Sequence, residues 1–158
     1  MDPANADTVL RRFFAANPSG SHPESFLRYE RVRQQLRVYL EEEGAALLGP
    51  IDQELMALER QFSPTAAYTT VVGARELLHA LPHFLAPRHL LPDVHDRLAQ
   101  ISITSRLVQW LCSRELVGGE ESRQDVVLTR VAVEQARRPP APQRGGRDHA
   151  LGTVRGSS

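Results

Sequence analysis

Ser21-His22-Pro23-Glu24-Ser25-Phe26-Leu27-Arg28-Tyr29-Glu30, continued by Arg31-Val32-Arg33-Gln34-Gln35-Leu36-Arg37-Val38-Tyr39-Leu40, is the stretch whose reading decides the fold. Phe26, Tyr29, Val32, Leu36, Tyr39 and Leu40 recur at intervals near 3.6, the repeat of an α-helix and not the alternation of a strand. Arginine and glutamate fill the opposite face, so the helix turns one side to water and the other to a core. Ser21-x-x-Glu24 has the spacing of a capping box, and Pro23 falls in the first turn, where its missing N–H costs little.

The same period extends in both directions. Asp7–Ala16 reads as a short helix with Val9, Leu10, Phe13 and Phe14 as its stripe, and Asn17-Pro18-Ser19-Gly20 breaks it. Downstream, Ile51, Leu55, Leu58 and Phe62 repeat at i, i+4, i+7 and i+11, an amphipathic helix behind Gly49-Pro50. Ser63-Pro64 is expected to open another helix reaching about Leu81. Pro82, Pro87 and Pro92 then break the chain, and Asp93 caps a last helix to about Leu116. Within it Ile101-Ser102-Ile103-Thr104-Ser105 is a weak helix former and a candidate break. Beyond Leu116, the valines and leucine of Asp125–Val133 read as a strand, paired with Leu116-Val117 across a polar turn. The expected fold is all-α, a bundle of about five helices over residues 1–134 with a small hairpin at 116–133.

Composition agrees with such a bundle. Of 158 residues 41% are hydrophobic but only 6% aromatic, which suits a core of Leu, Val and Ala between helices. The single cysteine, Cys112, excludes an internal disulfide and reads as a buried, inert thiol. No stretch has the layout of a signal peptide and no apolar run approaches membrane-spanning length, so the expected compartment is the cytoplasm. All 19 basic residues are arginine. Residues 1–121 hold 12 Arg against 16 Asp and Glu, whereas 122–158 hold 7 Arg against 3 acids. An acidic body argues against a broad phosphate-binding surface on the core.

From Arg137 the run Arg-Arg-Pro-Pro-Ala-Pro-Gln-Arg-Gly-Gly-Arg-Asp has no apolar periodicity and cannot support a core. Residues 135–148 are read as a linker, and 149–158 as a recognition segment. There Leu151-Gly152-Thr153-Val154-Arg155-Gly156 sets two apolar side chains three apart around a glycine, with a cation following. That layout suits a segment that seats two side chains in a shallow groove while glycine lets the backbone come close. It resembles the C-terminal cargo-loading peptides of proteins packaged in encapsulin nanocompartments. Those peptides read apolar-Gly-Ser-Leu-Arg/Lys, often followed by Gly, on a Pro/Gly-rich linker. Thr153 stands where Ser is usual, and Val154 where Leu is usual. The resemblance covers about eight residues and none of the folded body. It implies an encapsulin shell protein as partner, Leu151, Gly152, Thr153, Val154 and Arg155 as the shell-binding residues, and a cargo that often handles iron or redox equivalents.

Two constellations in the body follow. Glu76-x-x-His79 has the spacing by which helical carboxylate sites bring two ligands to one metal, and His83 adds a third group on that face, a candidate for iron. The apolar residues Ala74, Leu77, Leu78, Leu81 and Leu85 lie opposite, which points the three outward unless a subunit interface covers them. The last helix carries apolar residues around much of its circumference, Trp110 among them, so it is central in the bundle or half of a homodimer interface. No phosphate loop, nucleophile elbow or hydrolase triad is present. The alternative function is that of a winged-helix DNA-binding regulator. In it Ser105–Glu134 would supply recognition helix and wing, and Arg106, Arg114, Arg123 and Arg130 would contact DNA.

Overall fold

In the computed structural model, which describes residues 4–138, seven α-helices pack around one core, and no strand is present among the described residues. The expected linker starts too early, since Gln135–Arg137 belong to the last helix; the rest of it from 139 onward, with the recognition segment, lies outside the described residues. The helices are α1 (Ala6–Ala16), α2 (Pro23–Glu42), α3 (Pro50–Glu59), α4 (Ala67–Val71), α5 (Ala74–Phe84), α6 (Val94–Ser113) and α7 (Gly119–Arg137). Short 3-10 turns at Gly44–Leu47 and Pro87–His89 join α2 to α3 and α5 to α6.

Two corrections raise the expected five helices to seven. The helix expected from Pro64 to Leu81 is split. Ser63–Ala66 forms a turn, α4 starts at Ala67, and the chain is extended at Val72 before Gly73 caps α5. The break frees the Val72 carbonyl to accept the Ala6 N–H at 2.8 Å, tying the start of α1 to the middle of the fold. The second correction concerns the hairpin at 116–133, which is instead the 19-residue helix α7. Valine favours strands, and the run Val126–Val133 contains enough of it to mislead. The residues that bury, however, are Ser122, Thr129 and Val133, with Val126 and Ala136 half-buried. That order of four, three, four, three is a helical stripe, and burial against α5 and α6 overrides local preference. Glu120 and Glu121 sit in its first turn, where the helix dipole favours acids. Pro139 disfavours helical backbone at Arg138, which is extended and ends the helix.

The capping of α2 also differs from expectation. His22, not Ser21, is the cap, its Nδ1 accepting the Glu24 N–H at 3.3 Å. The stripe behaves as read over Val32, Leu36, Tyr39 and Leu40, all buried, but Phe26 at its start is exposed.

α6 is the central helix and runs unbroken through Ile101–Ser105. Ile101, Ile103, Thr104, Leu107, Val108 and Leu111 are all buried, so packing outweighs weak propensity there. The Thr104 hydroxyl donates to the Gln100 carbonyl one turn back, at 2.8 Å. Gln100 is itself fully buried and satisfied, its amide donating to the Phe84 and His89 carbonyls and its oxygen accepting the Leu91 N–H. Asp96, also buried, accepts both Arg31 guanidinium bonds at 2.9 Å and has Arg28 at 3.5 Å, which fixes α2 on α6. The α6 terminus is a Schellman turn: Glu115 N–H reaches the Cys112 carbonyl and Leu116 N–H the Leu111 carbonyl. It places Glu115 at φ 55°, the left-handed region that favours glycine.

Aromatic side chains fill the wider gaps. Phe13 meets Trp110 edge to face at 5.8 Å, and Tyr39 lies 5.3 Å from Phe84. Tyr68 is fully buried beneath the 3-10 turn, where Gly44 backs directly onto its ring. The Tyr39 and Tyr68 hydroxyls donate to the Ala80 and Glu76 carbonyls of α5. Burial is the main cause raising both phenols well above their ordinary pKa, so both remain donors.

Candidate functional site

The polar cleft with the most chemistry lies where α5 and α7 run side by side. Arg75, Glu76 and His79 project from α5, and Glu121, Gln124 and Asp125 from α7. Leu47, Leu48 and Tyr68 close a cavity of about 310 Å³. His79 Nδ1 is 3.0 Å from Asp125 Oδ1, and Arg75 pairs with Glu121 one turn earlier on both helices. Two cross-links at matching i, i+4 steps form a ladder that sets the register of α5 against α7. The ladder is wet: His79 is 54% and Glu121 77% exposed, so each rung stabilises by well under about 1 kcal/mol. A His–carboxylate pair can orient an imidazole as a base, yet no Ser, Thr or Cys lines this cavity. The Tyr68 hydroxyl is committed to the Glu76 carbonyl.

Of the proposed iron ligands, only Glu76 and His79 share this cleft, and their roles are structural. Glu76 Oε2 turns back to accept the Gly73 N–H at 3.1 Å, capping α5 at its third residue. The Glu-x-x-His spacing that suggested a metal site is thus explained by a helix cap followed one turn later by a cross-link. His83 is exposed beyond the cavity. No group of three or more His, Cys, Asp or Glu side chains among the described residues is placed to hold a metal ion, so Glu76, His79 and His83 do not form the triad expected of them.

The four arginines of the DNA-binding alternative divide into two pairs. Arg106, on α6, lies over the Tyr29 ring of α2 at 5.9 Å, and Arg114, the C-terminal cap of α6, lies over the Trp110 ring at 5.8 Å. Arg123 and Arg130 are exposed on α7, two turns apart on one edge. The wing they were to occupy is this helix, so Ser105–Glu134 does not form a recognition helix and wing.

Two surfaces had no place in the sequence-based expectations. Ile51, Leu55, Leu58 and Phe62, the repeat that identified α3, remain 74%, 48%, 56% and 76% exposed. Only Met56 of this helix is buried. On α7, Val127, Leu128 and Val131 are likewise about half exposed, beside a groove of about 350 Å³ that includes Arg130 and Glu134. The periodicity was legible in both helices. What lies against each face is a tertiary fact that periodicity does not carry.

No protein-family model matches the chain, and no curated protein or solved structure matches it. No helix among the described residues is long and apolar enough to cross a membrane.

Proposed function

We propose that this chain is a helical cargo protein carried into an encapsulin shell, in the cytoplasm, by residues 151–156. The observation that carries the reading is the sequence Leu151-Gly152-Thr153-Val154-Arg155-Gly156 behind a stretch rich in Pro, Arg and Gly. In the dock, Leu151 and Val154 fill two apolar dimples on the inner wall, Gly152 permits close backbone approach, and Arg155 pairs with an acid at the rim. Two features of the body support the reading. The last helix ends at Arg137, and the residues from Arg138 to Leu151 can span at most about 45 Å, enough to separate a bundle from a wall. The polar cleft between α5 and α7 is also accounted for by a cap and two cross-links.

The test is co-expression with an encapsulin shell protein, followed by purification of the shell. Full-length chain should co-purify, whereas a chain lacking residues 149–158, or carrying Leu151→Asp with Val154→Asp, should not. Circular dichroism and thermal midpoint should be unchanged, because the substitutions leave every residue of the described bundle intact. Retention of the doubly substituted chain inside the shell would refute the proposal.

A further inference from the structure

The exposed faces of α3 and α7 are two apolar surfaces that the bundle leaves unpartnered, and their borders differ in charge. On α3 the spacing of Ile51, Leu55 and Leu58 is a narrow seam of the kind that packs against another helix, and Phe62 is exposed in the turn just after it. Glu54 borders it on one side and Asp52 and Glu59 on the other, and residues 50–59 contain no arginine. On α7 the strip formed by Val127, Leu128 and Val131 is bordered by Arg123 and Arg130, seven residues apart on one edge, and by Arg138, while Glu134, which also lines the groove, is paired with Arg137 at 3.0 Å. Leu47 and Leu48, just before α3, share a cavity with Glu121, Gln124 and Asp125 of α7, which brings the starts of the two helices near each other.

We infer that the occupant of each face is a second copy of this chain, with α3 of one copy seated on α7 of the other. Charge selects this pairing over its rivals. Two α3 faces would set carboxylate borders against each other, and two antiparallel α7 faces would set Arg130 and Arg123 against their own kind. The mixed contact sets carboxylates against guanidinium groups around an apolar centre. Area then selects the symmetry. From the fractional exposures, the α3 seam offers roughly 400 Å² and the α7 strip roughly 250 Å². A single contact of about 650 Å² falls short of the roughly 1,000 Å² that a specific interface needs. Two reciprocal contacts, α3 on α7 and α7 on α3, bury about 1,300 Å² and close a two-fold dimer with no free face to propagate.

Sedimentation velocity on the full-length chain reads the outcome. Wild type should sediment as a dimer that weakens with added salt, and Leu58→Asp as a monomer with unchanged helix content. Reversing the α3 border (Glu54→Arg with Glu59→Arg) or the α7 border (Arg123→Glu with Arg130→Glu) should each weaken the dimer at least about tenfold. Placing both reversals in one chain should restore it, a rescue that a mere loss of solubility or fold cannot produce. A wild type that stays monomeric at its highest soluble concentration would overturn the inference. So would a Leu58-dependent dimer that the α7 reversal leaves untouched, since two α3 faces would then be meeting. The outcome is independent of the shell, so its failure leaves the cargo reading standing, and the reverse holds.

Discussion

Substituting Gly44 by alanine isolates a contact at the centre of the molecule. A Cβ at position 44 would lie 3.0 Å from both Cε2 and Cζ of Tyr68, well inside the usual carbon–carbon separation near 3.5–4.0 Å. The ring has little room to yield. It is 0% exposed, its hydroxyl is bonded to the Glu76 carbonyl at 3.1 Å, and its own N–H is held by the Glu41 carboxylate at 3.0 Å. Overpacking a site of this kind costs about 1–3 kcal/mol. Against it stands a gain of about 0.4–1 kcal/mol, because alanine restricts the unfolded chain more than glycine does. The steric cost is the larger, and a net loss of about 1–2 kcal/mol follows. For a body of this size that lowers the thermal midpoint by roughly 3–10 °C, readable by calorimetry or circular dichroism. A double-mutant cycle identifies the cause: with Tyr68→Leu in place, Gly44→Ala should cost much less than it does alone. Additive effects, or a Gly44→Ala midpoint at or above wild type, would show that the turn and the ring are not in tight contact.

Three further outcomes test other parts of the structure. Glu115→Gly should raise stability by about 0.5–1 kcal/mol in urea melts, because glycine adopts the φ of 55° at the α6 terminus without the strain a Cβ imposes. Glu76→Ala should cost about 1 kcal/mol by removing the cap on the Gly73 N–H, whereas Glu76→Gln, which keeps an acceptor, should cost much less. Asp96 is held below the ordinary carboxylate pKa, first by its hydrogen bonds from Arg31 and then by the nearby positive charge. A depressed folded-state value means a contribution fully present above the unfolded value near 4 and lost as pH falls through the folded one. Stability measured from neutral to strongly acid pH should therefore decline less steeply in Asp96→Asn than in wild type, and parallel profiles would contradict the ion pair.

Legibility in the sequence followed how one-sided each pattern was. The middle of α2 reads correctly because its apolar residues fit a helical repeat and no other, and α6 reads as central because no face of it is wholly polar. α7 was misread because valines at 126, 127, 131 and 133 satisfy either period until one knows which of them are covered. The split between α4 and α5 rests on the Val72 carbonyl answering the Ala6 N–H, a partner 66 residues away that no local signal announces. The metal reading failed for a related reason. Glu-x-x-His describes one helix face equally well whether the carboxylate reaches outward to an ion or back to an N–H, and only the turn at Gly73 decides between them.

The two proposals bear on each other through avidity. A peptide of six residues gives up much of its contact energy in ordering itself, so a single dock on a shell wall is weak. A two-fold dimer carries two such segments, and a shell lines its interior with many identical sites. Once the first segment is seated, the second searches a volume set by its own reach of at most about 45 Å, which corresponds to a local concentration near the millimolar range. The combined hold can then exceed either single affinity by about 10²–10⁴ with no new contact. Loading into the shell should therefore be sensitive to Leu58→Asp, although that residue lies on α3 and touches no wall in this scheme. Loading that is indifferent to Leu58→Asp would mean that one segment suffices, and the exposed seam of α3 would then have no part in packaging.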